Sequence, residues 1–420
     1  MFEWSEEQQM VRTAVRDFID REIRPHRDDL EFGDLPPYDL LRKMFATFGM
    51  TEMQRASFQQ RIAAERAKAD GTTEAADEPS DRSDGEDNSR RDANAVAFQV
   101  IPIIELCRVC PGMVTAMGVS MGLTAASVMS KGTVAQKERW GLDLLTLDKI
   151  GAWAITEPGS GSDAFGSMLA TARRDGDEYV LNGSKTFITN GPYADTIVFI
   201  CKLDEGNPPA ERTVVQFVLD AGMAGLEQSK PLRKMGMHSS PTGELFLSDV
   251  RVGRDRLLGE SEEAYTGAGG RDASKATFGM ERTGVVAMAL GIVERCLELS
   301  LQYARDRVQF GQPIGQFQLI QLKLAKMEVA RMNLQNQVFR NIEMAAAGAQ
   351  GSFAEASAGK LYAAQAAMEV ALEAVQVFGG NGYMAEFEVE QLARDAKVLQ
   401  IYAGTDEIQV SAVARSLLAG

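Results

Sequence analysis

Apolar residues recur with two different periods along this chain of 420 residues, and the order of the periods strongly constrains its fold. In residues 5–68 and 96–147 they recur at helical spacing, and Ser5 with Gln8 forms a capping-box signature at the first helix. In residues 149–258 the spacing changes towards two, as in strands, and helical spacing then returns for the rest of the chain. The sequence therefore predicts an α+β protein in the order helices, sheet, helices.

We place the domain boundaries where the period changes. The predicted units are an N-terminal α-helical domain at residues 1–148, a middle β-sheet domain at 149–265 and a C-terminal helical domain at 266–420. Within the middle domain, Asn182-Gly183 lies between two runs with strand composition, and an Asn-Gly pair in that setting predicts a hairpin turn.

The composition changes sharply at residues 69–95, which contain no Val, Ile, Leu, Met or aromatic residue. Asp, Glu, Ser, Gly and Arg dominate there, so the segment has too little apolar surface to offset the entropy of ordering it. We predict a disordered acidic insertion in the N-terminal domain, and the sequence assigns it no function.

Charge and cysteine content exclude several classes of protein. With 44 Lys+Arg against 59 Asp+Glu, a net charge of −15 and no basic run, neither a nucleic-acid partner nor a polybasic membrane anchor is expected. The start of the chain lacks secretory-signal features and no long apolar run is present, so we predict a cytoplasmic protein without a membrane span. Cys107 and Cys110 lack further ligands nearby and are interpreted as core residues, and the isolated His26 and His238 do not indicate a metal site.

Two segments of the middle domain have the composition of a ligand-binding surface. Residues 152–163 run from an apolar strand into a loop of Gly and hydroxyl residues, which can bring backbone N–H groups close to a flat or anionic ligand. Residues 187–191 combine an aromatic residue, a hydroxyl and a turn. Either segment alone would be read as a polar turn, but together they predict a binding surface with an aromatic wall.

Two C-terminal segments stay ambiguous on periodicity alone. The glycines of residues 379–382 follow a helix rather than a strand and lack the G-x-G-x-x-G spacing, so a dinucleotide-binding loop of the Rossmann type is excluded and a helix C-cap would explain them. Arg307 could be a solvated cation at the end of a helix.

Five segments, taken in order, resemble the signatures of the acyl-CoA dehydrogenase flavoproteins. They are T-E-P-G-S-G-S-D at 156–163, F-I-T-N-G at 187–191, R-V-Q-F-G at 307–311, Q-V-F-G-G-N-G-Y at 376–383 and I-Y-A-G-T-D-E-I-Q at 401–409. The resemblance spans nearly the whole chain except the acidic insertion. It implies a helical N-terminal domain, a β-sheet middle domain and a C-terminal four-helix bundle that assembles a homotetramer, with FAD bound between the domains.

The resemblance also implies which residues contact the cofactor. Expected at the flavin ring are Trp153, Ile155, Thr156, Phe187 and Thr189, with Ser162 near both the flavin and the CoA chain of the substrate. Expected to reach FAD from a neighbouring subunit are Arg307, Phe310, Gln376, Gly379 and Gly380. Thr405 and Glu407 match further FAD contacts, and Phe187 replaces a Trp common at its position.

The family removes the α-proton of an acyl thioester with a carboxylate, while two hydrogen-bond donors polarise the thioester carbonyl. The resemblance assigns these donors to the backbone N–H of Ala403 and a hydroxyl of FAD. Many members carry the catalytic Glu at position 403, where this chain has Ala. Other members carry it on the first C-terminal helix, which makes Glu281 the candidate base, although an acid favoured by a helix N-terminus is the alternative. Arg282 matches a position that binds the CoA side of the substrate, or is simply ion-paired.

The expected function is an FAD-dependent acyl-CoA dehydrogenase that converts a long-chain or branched acyl-CoA to its trans-2-enoyl-CoA and passes electrons to an electron-transfer flavoprotein. The resemblance implies that residues 96–129 line the acyl-chain site, and the small residues of that segment favour a long or bulky acyl chain. Two alternatives stay open. One is a non-catalytic FAD-binding subunit that pairs with an active paralogue, and the other is an acyl-CoA oxidase.

Overall fold

The structure is a computed structural model that describes residues 3–69, 85–265, 269–349 and 351–419. Its N-terminal part is helical. The helices are α1 (Glu6–Phe18), α2 (Arg27–Phe32), α3 (Tyr38–Thr47), α4 (Met50–Ala69), α5 (Gly85–Cys107), α6 (Pro111–Gly118), α7 (Ala126–Lys131), α8 (Val134–Gln136) and α9 (Leu142–Leu145). The predicted capping box is confirmed, because the Ser5 side chain accepts from the Gln8 N–H and the Gln8 side chain accepts from the Ser5 N–H.

A mixed seven-stranded sheet forms the middle of the chain. Its strands are β1 (Gly151–Ala154), β2 (Thr171–Asp175), β3 (Glu178–Thr189), β4 (Thr196–Leu203), β5 (Val214–Asp220), β6 (Leu226–Gln228) and β7 (Thr242–Gly253). The order is β1-β4-β2-β3-β7-β6, with β5 pairing to β4, and β1 and β2 run parallel to β4. Strand β4 is buried on both faces, because one apolar cluster packs around Phe199 and Phe217 and a second, containing Leu123 and Trp140, covers the other face.

The C-terminal part returns to helices. They are α10 (Gly269–Asp306), α11 (Gln318–Ala346), α12 (Phe353–Phe378), α13 (Glu388–Val398) and α14 (Asp406–Leu418), with a short hairpin β8 (Val308–Gln309) and β9 (Gln312–Pro313) after α10. Helix α12 packs against α10, α11, α13 and α14, while α5 packs against α10 and α11. This contact joins both helical parts in one apolar core and confirms the predicted α+β class and element order.

The predicted disordered insertion is partly wrong. Residues 70–84 lie outside the described residues, but 85–95 form the first turns of α5. The segment that follows, from residue 96, supplies the apolar face that packs against α1 and α10, and helix propagation adds one hydrogen bond for each further residue ordered. The polar composition of 85–95 therefore did not prevent it from extending a helix that is anchored elsewhere.

The hairpin predicted at Asn182-Gly183 is also wrong. Strand β3 runs through both residues, and the pairing register with β7 shifts between Leu181 and Gly183, which marks a bulge. A Cβ on Gly183 would lie 2.6 Å from the Ala170 side chain, so the glycine permits a close approach instead of a turn. The tight turn before β3 is Gly176-Asp177, where Gly176 has φ +62°.

One helical stretch, Pro111–Lys131, is long and apolar enough to cross a membrane by composition. In the structure it comprises α6, a π-helical segment and α7, and 61% of its apolar window is buried inside the protein. It packs against β1 and α9, as a core helix does. Cys107 and Cys110 are buried free thiols, which confirms their interpretation as core residues.

Candidate active site

A cleft of about 660 Å³ opens between the sheet, helix α10 and the turn before α14. That volume lies in the range of small-molecule and cofactor sites. Ten of the residues proposed from the sequence line it: Trp153, Ile155, Thr156, Ser162, Phe187, Thr189, Glu281, Arg282, Ala403 and Thr405. Residues distant in the sequence are therefore brought to one site.

The wall formed by the sheet combines aromatic and hydroxyl side chains. Trp153 lies near the end of β1, and the chain continues beyond the strand to Thr156. The Thr156 carbonyl accepts a hydrogen bond of 2.9 Å from the N–H of Thr186 on β3. This bond holds the two predicted binding segments side by side. Phe187 has φ +57°, is 69% exposed and lines the cleft, so it presents a ring surface to whatever occupies the site.

A buried ion pair supports the loop at residues 156–163. The Lys185 ammonium lies 2.9 Å from the Glu157 carboxylate and 2.9 Å from the Ile155 carbonyl. The same carboxylate accepts the backbone N–H groups of Leu169 and Ala170 at 2.6 and 2.9 Å. Buried charges require this degree of pairing, and here the pairing ties the start of the loop to β3 and to the segment just before β2.

Asn190 joins three parts of the molecule directly after Thr189. It has φ +64°, its amide donates to the carbonyls of Ala116 and Gly151 at 2.9 Å each, and its carbonyl oxygen accepts from Tyr38 at 3.0 Å. Asn tolerates the left-handed region better than most residues, which explains its use at this junction. The end of β3 is thereby held against the N-terminal helices.

Glu281 lies on α10 and lines the cleft, partly buried. The sequence placed it at the start of this helix, but α10 begins at Gly269, about three turns earlier. A helix-terminus effect falls off within one turn, so the helix N-terminus does not explain this residue. Burial raises the pKa of Glu281 to about 7, although the positive charges of Arg282 and Lys360 oppose that rise.

Ala403 lies in the turn between α13 and α14 with φ +53°, and Gly404 follows with φ +87°. The Ala403 carbonyl accepts from Arg282 at 3.3 Å and from Gln409 at 3.0 Å. Its N–H has no acceptor among residues 3–69, 85–265, 269–349 and 351–419. An unpartnered N–H beside a cleft can donate to a ligand carbonyl.

Arg282 is almost fully buried and makes several contacts within the protein. Besides the Ala403 carbonyl, it donates to the Ser357 hydroxyl at 2.9 Å, and its guanidinium lies 4.0 Å from the Phe353 ring centroid. These contacts indicate that Arg282 holds the turn in place. They give less support to the predicted direct contact of Arg282 with the CoA part of the substrate.

Six proposed cofactor residues do not line the cleft. Arg307, Phe310, Gln376, Gly379, Gly380 and Glu407 are all exposed. The first five follow or lie in the last turns of α10 and α12, and these two helix ends are adjacent, because Tyr303 stacks on Phe378 at 4.1 Å and its hydroxyl accepts a 3.0 Å hydrogen bond from the Asn381 amide. Gly379 ends α12 with φ +60°, in agreement with the C-cap interpretation.

The structure adds residues that sequence reasoning missed. Thr115 and Tyr402 line the cleft, as do Lys234, Met237 and Ser240 of the segment before β7. The Ser240 hydroxyl is buried and has no hydrogen-bond partner within the described part of the chain. No local pattern distinguishes these residues, because they reach the cleft only through the packing of the sheet on the helices.

Comparison with known proteins agrees with this geometry. Profiles described as the N-terminal, middle and C-terminal domains of acyl-CoA dehydrogenase match residues 5–57, 152–250 and 268–418. The chain belongs to the acyl-CoA dehydrogenase family. It is 32% identical over 99% of both chains to a 3-(aryl)acrylate reductase of Clostridium sporogenes. It is 35% identical to the mitochondrial isovaleryl-CoA dehydrogenase of Pongo abelii over 76% of this chain and 73% of that protein.

The solved structures agree as well. Butyryl-CoA dehydrogenase from Megasphaera elsdenii superposes with a TM-score of 0.82 at 31% identity, covering 100% of each chain. This confirms the family resemblance and identifies the protein as an acyl-CoA dehydrogenase-family oxidoreductase.

FAD is the cofactor of this family, and the cleft fits it. Trp153 and Phe187 offer apolar ring surfaces, and a Cβ on Gly161, which lines the cleft, would meet no atom within 4 Å. The unpartnered Ser240 hydroxyl provides a hydrogen bond that the described residues leave unused. When bound, FAD supplies a hydride acceptor. The described residues contain no cluster of side chains suitable for a metal ion.

Proposed function

We propose that this protein catalyses the α,β-dehydrogenation of an acyl-CoA, with Glu281 as the base. The supporting observation is that Glu281 and Ala403 line the same cleft as the residues that the family resemblance places at the flavin, while position 403 carries no acid. Glu281 would take the α-proton and the Ala403 N–H would stabilise negative charge on the thioester oxygen, while FAD, when bound, would supply the acceptor for the β-hydride. The product is the trans-2-enoyl-CoA.

We propose a long or branched acyl chain and an electron-transfer flavoprotein as acceptor. A helix-borne base is shared, by resemblance, with isovaleryl-CoA and long-chain members. In addition, the apolar side chains of Val119 and Leu123, on the helical stretch Pro111–Lys131, line the cleft and suit contact with an acyl chain.

We also propose a homotetramer in which a neighbouring subunit contributes Arg307, Phe310, Gln376, Gly379 and Gly380 to the FAD site. Supporting this, Phe310 is 94% exposed, and α11 carries exposed apolar side chains at Leu319, Leu322, Val329 and Met332. Such a face is typical of a subunit interface. A cytoplasmic location remains a prediction.

The substrate class can be tested by anaerobic mixing of the purified yellow protein with butyryl-, isovaleryl-, octanoyl- and palmitoyl-CoA. We expect loss of oxidised flavin absorbance, fastest with the branched or the longer chains, and no loss with free CoA. Fastest bleaching by butyryl-CoA would contradict the proposed chain class. A yellow protein that no thioester bleaches would favour a non-catalytic subunit, and rapid reoxidation by air with product present would favour an oxidase.

The reaction should become faster as the pH rises through about 7, because a base must be ionised to accept a proton and burial raises the pKa of Glu281 to about 7. Below that pH, kcat/KM should fall about tenfold per pH unit, since it reports ionisation of the free enzyme. The measurement is kcat/KM for one acyl-CoA from pH 5.5 to 9. A flat profile across this range would contradict the assignment of Glu281 as base.

A further inference from the structure

Lys360, on α12, is a fully buried cation that does not line the cleft. Its ammonium donates to the Gly404 carbonyl at 2.9 Å and to the Asp406 carboxylate at 3.2 Å. Lysine is almost never fully buried unless paired, and a single carboxylate would have satisfied the charge. The additional bond to a backbone carbonyl at the turn beside the cleft therefore needs an explanation.

The turn at Ala403-Gly404 is conformationally demanding. Both residues have positive φ, and a residue with a side chain is disfavoured there, so the surroundings must hold Ala403 in place. Three side chains from three helices donate to the two carbonyls. Arg282 of α10 binds the Ala403 carbonyl, Lys360 of α12 binds the Gly404 carbonyl, and Gln409 of α14 binds both, at 3.0 and 2.7 Å.

These bonds restrain the position of the Ala403 N–H. Each peptide unit is planar, so fixing the two carbonyl oxygens fixes the peptide planes that follow Ala403 and Gly404. The N–H of Ala403 is then free to move only through the dihedral angles of the turn itself. It has no acceptor of its own in the described ranges, which leaves it available to a substrate carbonyl.

The charge of Lys360 also acts on the candidate base. The charged groups that act on Glu281 are Arg282, its neighbour on α10, and Lys360 on α12, and both favour the ionised carboxylate. Lys360 in turn interacts with Asp406, Arg282 and Glu281. Removal of the ammonium therefore removes one of two charges that oppose the effect of burial on Glu281.

We propose that Lys360 is a positioning residue of the site, which fixes the Ala403-Gly404 turn through the Gly404 carbonyl and places a positive charge near Glu281. This inference rests on the proposed function, because it assigns a role in the step that Glu281 and the Ala403 N–H carry out. Its alternative is a purely structural ion pair with Asp406.

The test compares Lys360→Met with Lys360→Arg, using anaerobic bleaching by whichever of the four acyl-CoAs reduces the wild-type protein fastest. For Lys360→Met we expect the limiting rate of flavin reduction to fall about 10²-fold, with the apparent Kd for the thioester changed much less, because misplaced catalytic groups slow chemistry more than binding. The acidic limb of its pH profile should move to higher pH. Lys360→Arg should recover part of the rate and keep the limb at its wild-type position.

Two further variants separate the two roles of Lys360, which are its hydrogen bond to the Gly404 carbonyl and its positive charge near Glu281. Gln409→Leu removes a neutral donor to the same carbonyls and should lower the limiting rate without moving the acidic limb. Lys137→Met is the matched control, because Lys137 is also buried and pairs with Glu65 at 2.5 Å, but does not line the cleft. It should leave both the rate and the limb unchanged.

The outcomes distinguish the two proposals. If the wild-type protein is not bleached by any thioester, the proposed function fails. If it is bleached and Lys360→Met reacts at the wild-type rate with an unmoved limb, only the role of Lys360 fails. If Lys360→Met does not fold, the rate of Gln409→Leu decides. An unchanged rate overturns the proposal that hydrogen bonds to the Ala403-Gly404 carbonyls position the site, and a reduced rate supports it.

Discussion

Glu281→Gln should retain FAD but lose flavin reduction by acyl-CoA by about 10³-fold or more, since a positioned general base contributes typically 10²–10⁴-fold. Glutamine keeps the size and polarity of the side chain but accepts no proton. The residues expected at the flavin lie on the sheet and the turn, so the variant should purify as a yellow protein. The measurement is the limiting rate of anaerobic bleaching in a stopped-flow instrument.

Glu298→Gln provides the matched control on the same helix. Glu298 pairs with Arg108 and Arg295 and does not line the cleft, so its amide should leave the bleaching rate near that of the wild type. In the Glu281→Gln background, Ala403→Glu should restore part of the activity by placing a carboxylate in the position that many family members use. A fully active Glu281→Gln protein would rule out Glu281 as the base.

Lys185→Met should strongly damage the loop at residues 156–163, which is expected to contact FAD. It leaves the Glu157 carboxylate buried without its 2.9 Å counter-ion, and removal of one partner of a buried pair costs about 3–5 kcal/mol. The free energy of unfolding should fall by that order, and FAD should dissociate more readily because Glu157 holds the loop at residues 156–163. Thermal unfolding followed by circular dichroism, together with the FAD content after gel filtration, measures both effects.

An exposed ion pair shows how much of that loss is due to burial. Arg251 on β7 pairs with Asp175 and Glu178 at 2.6 and 3.1 Å, all three side chains being about half exposed, so Arg251→Met should cost about 1 kcal/mol or less. The double variant Lys185→Met with Glu157→Gln should recover part of the stability, because the buried charge is gone and the single amide oxygen still accepts from one of the two N–H groups of Leu169 and Ala170. Equal losses in Lys185→Met and Arg251→Met would contradict the importance of the buried pair.

Several features were predictable from short stretches of sequence because their physics is local. The Ser5–Gln8 capping box depends on residues three positions apart, and the change of apolar period located the sheet between two helical parts. Family signatures located the loop at 156–163 and the turn at 401–405. The absence of an acid at position 403 directed attention to Glu281, which lines the cleft as that reasoning required.

The errors arose where a distant contact overrode a local preference. Asn182-Gly183 has the signature of a turn, yet Gly183 lies inside β3 because Ala170 approaches its α-carbon too closely for a side chain. The polar residues 85–95 are helical because the apolar part of α5 is anchored against α1 and α10. Both contacts join residues that are far apart in the sequence, so the few neighbouring residues on which each prediction rested do not reveal them.

By itself, the sequence determined the order of helices and strands, the family and the chemical types available for catalysis, because periodicity, capping and motif spacing act over a few residues. Only the tertiary structure decided the pKa of Glu281, the burial of Lys360 and the convergence of Arg282, Lys360 and Gln409 on one turn. Desolvation and charge proximity depend on groups far apart in the chain, so they exist only once α10, α12 and α14 have packed together.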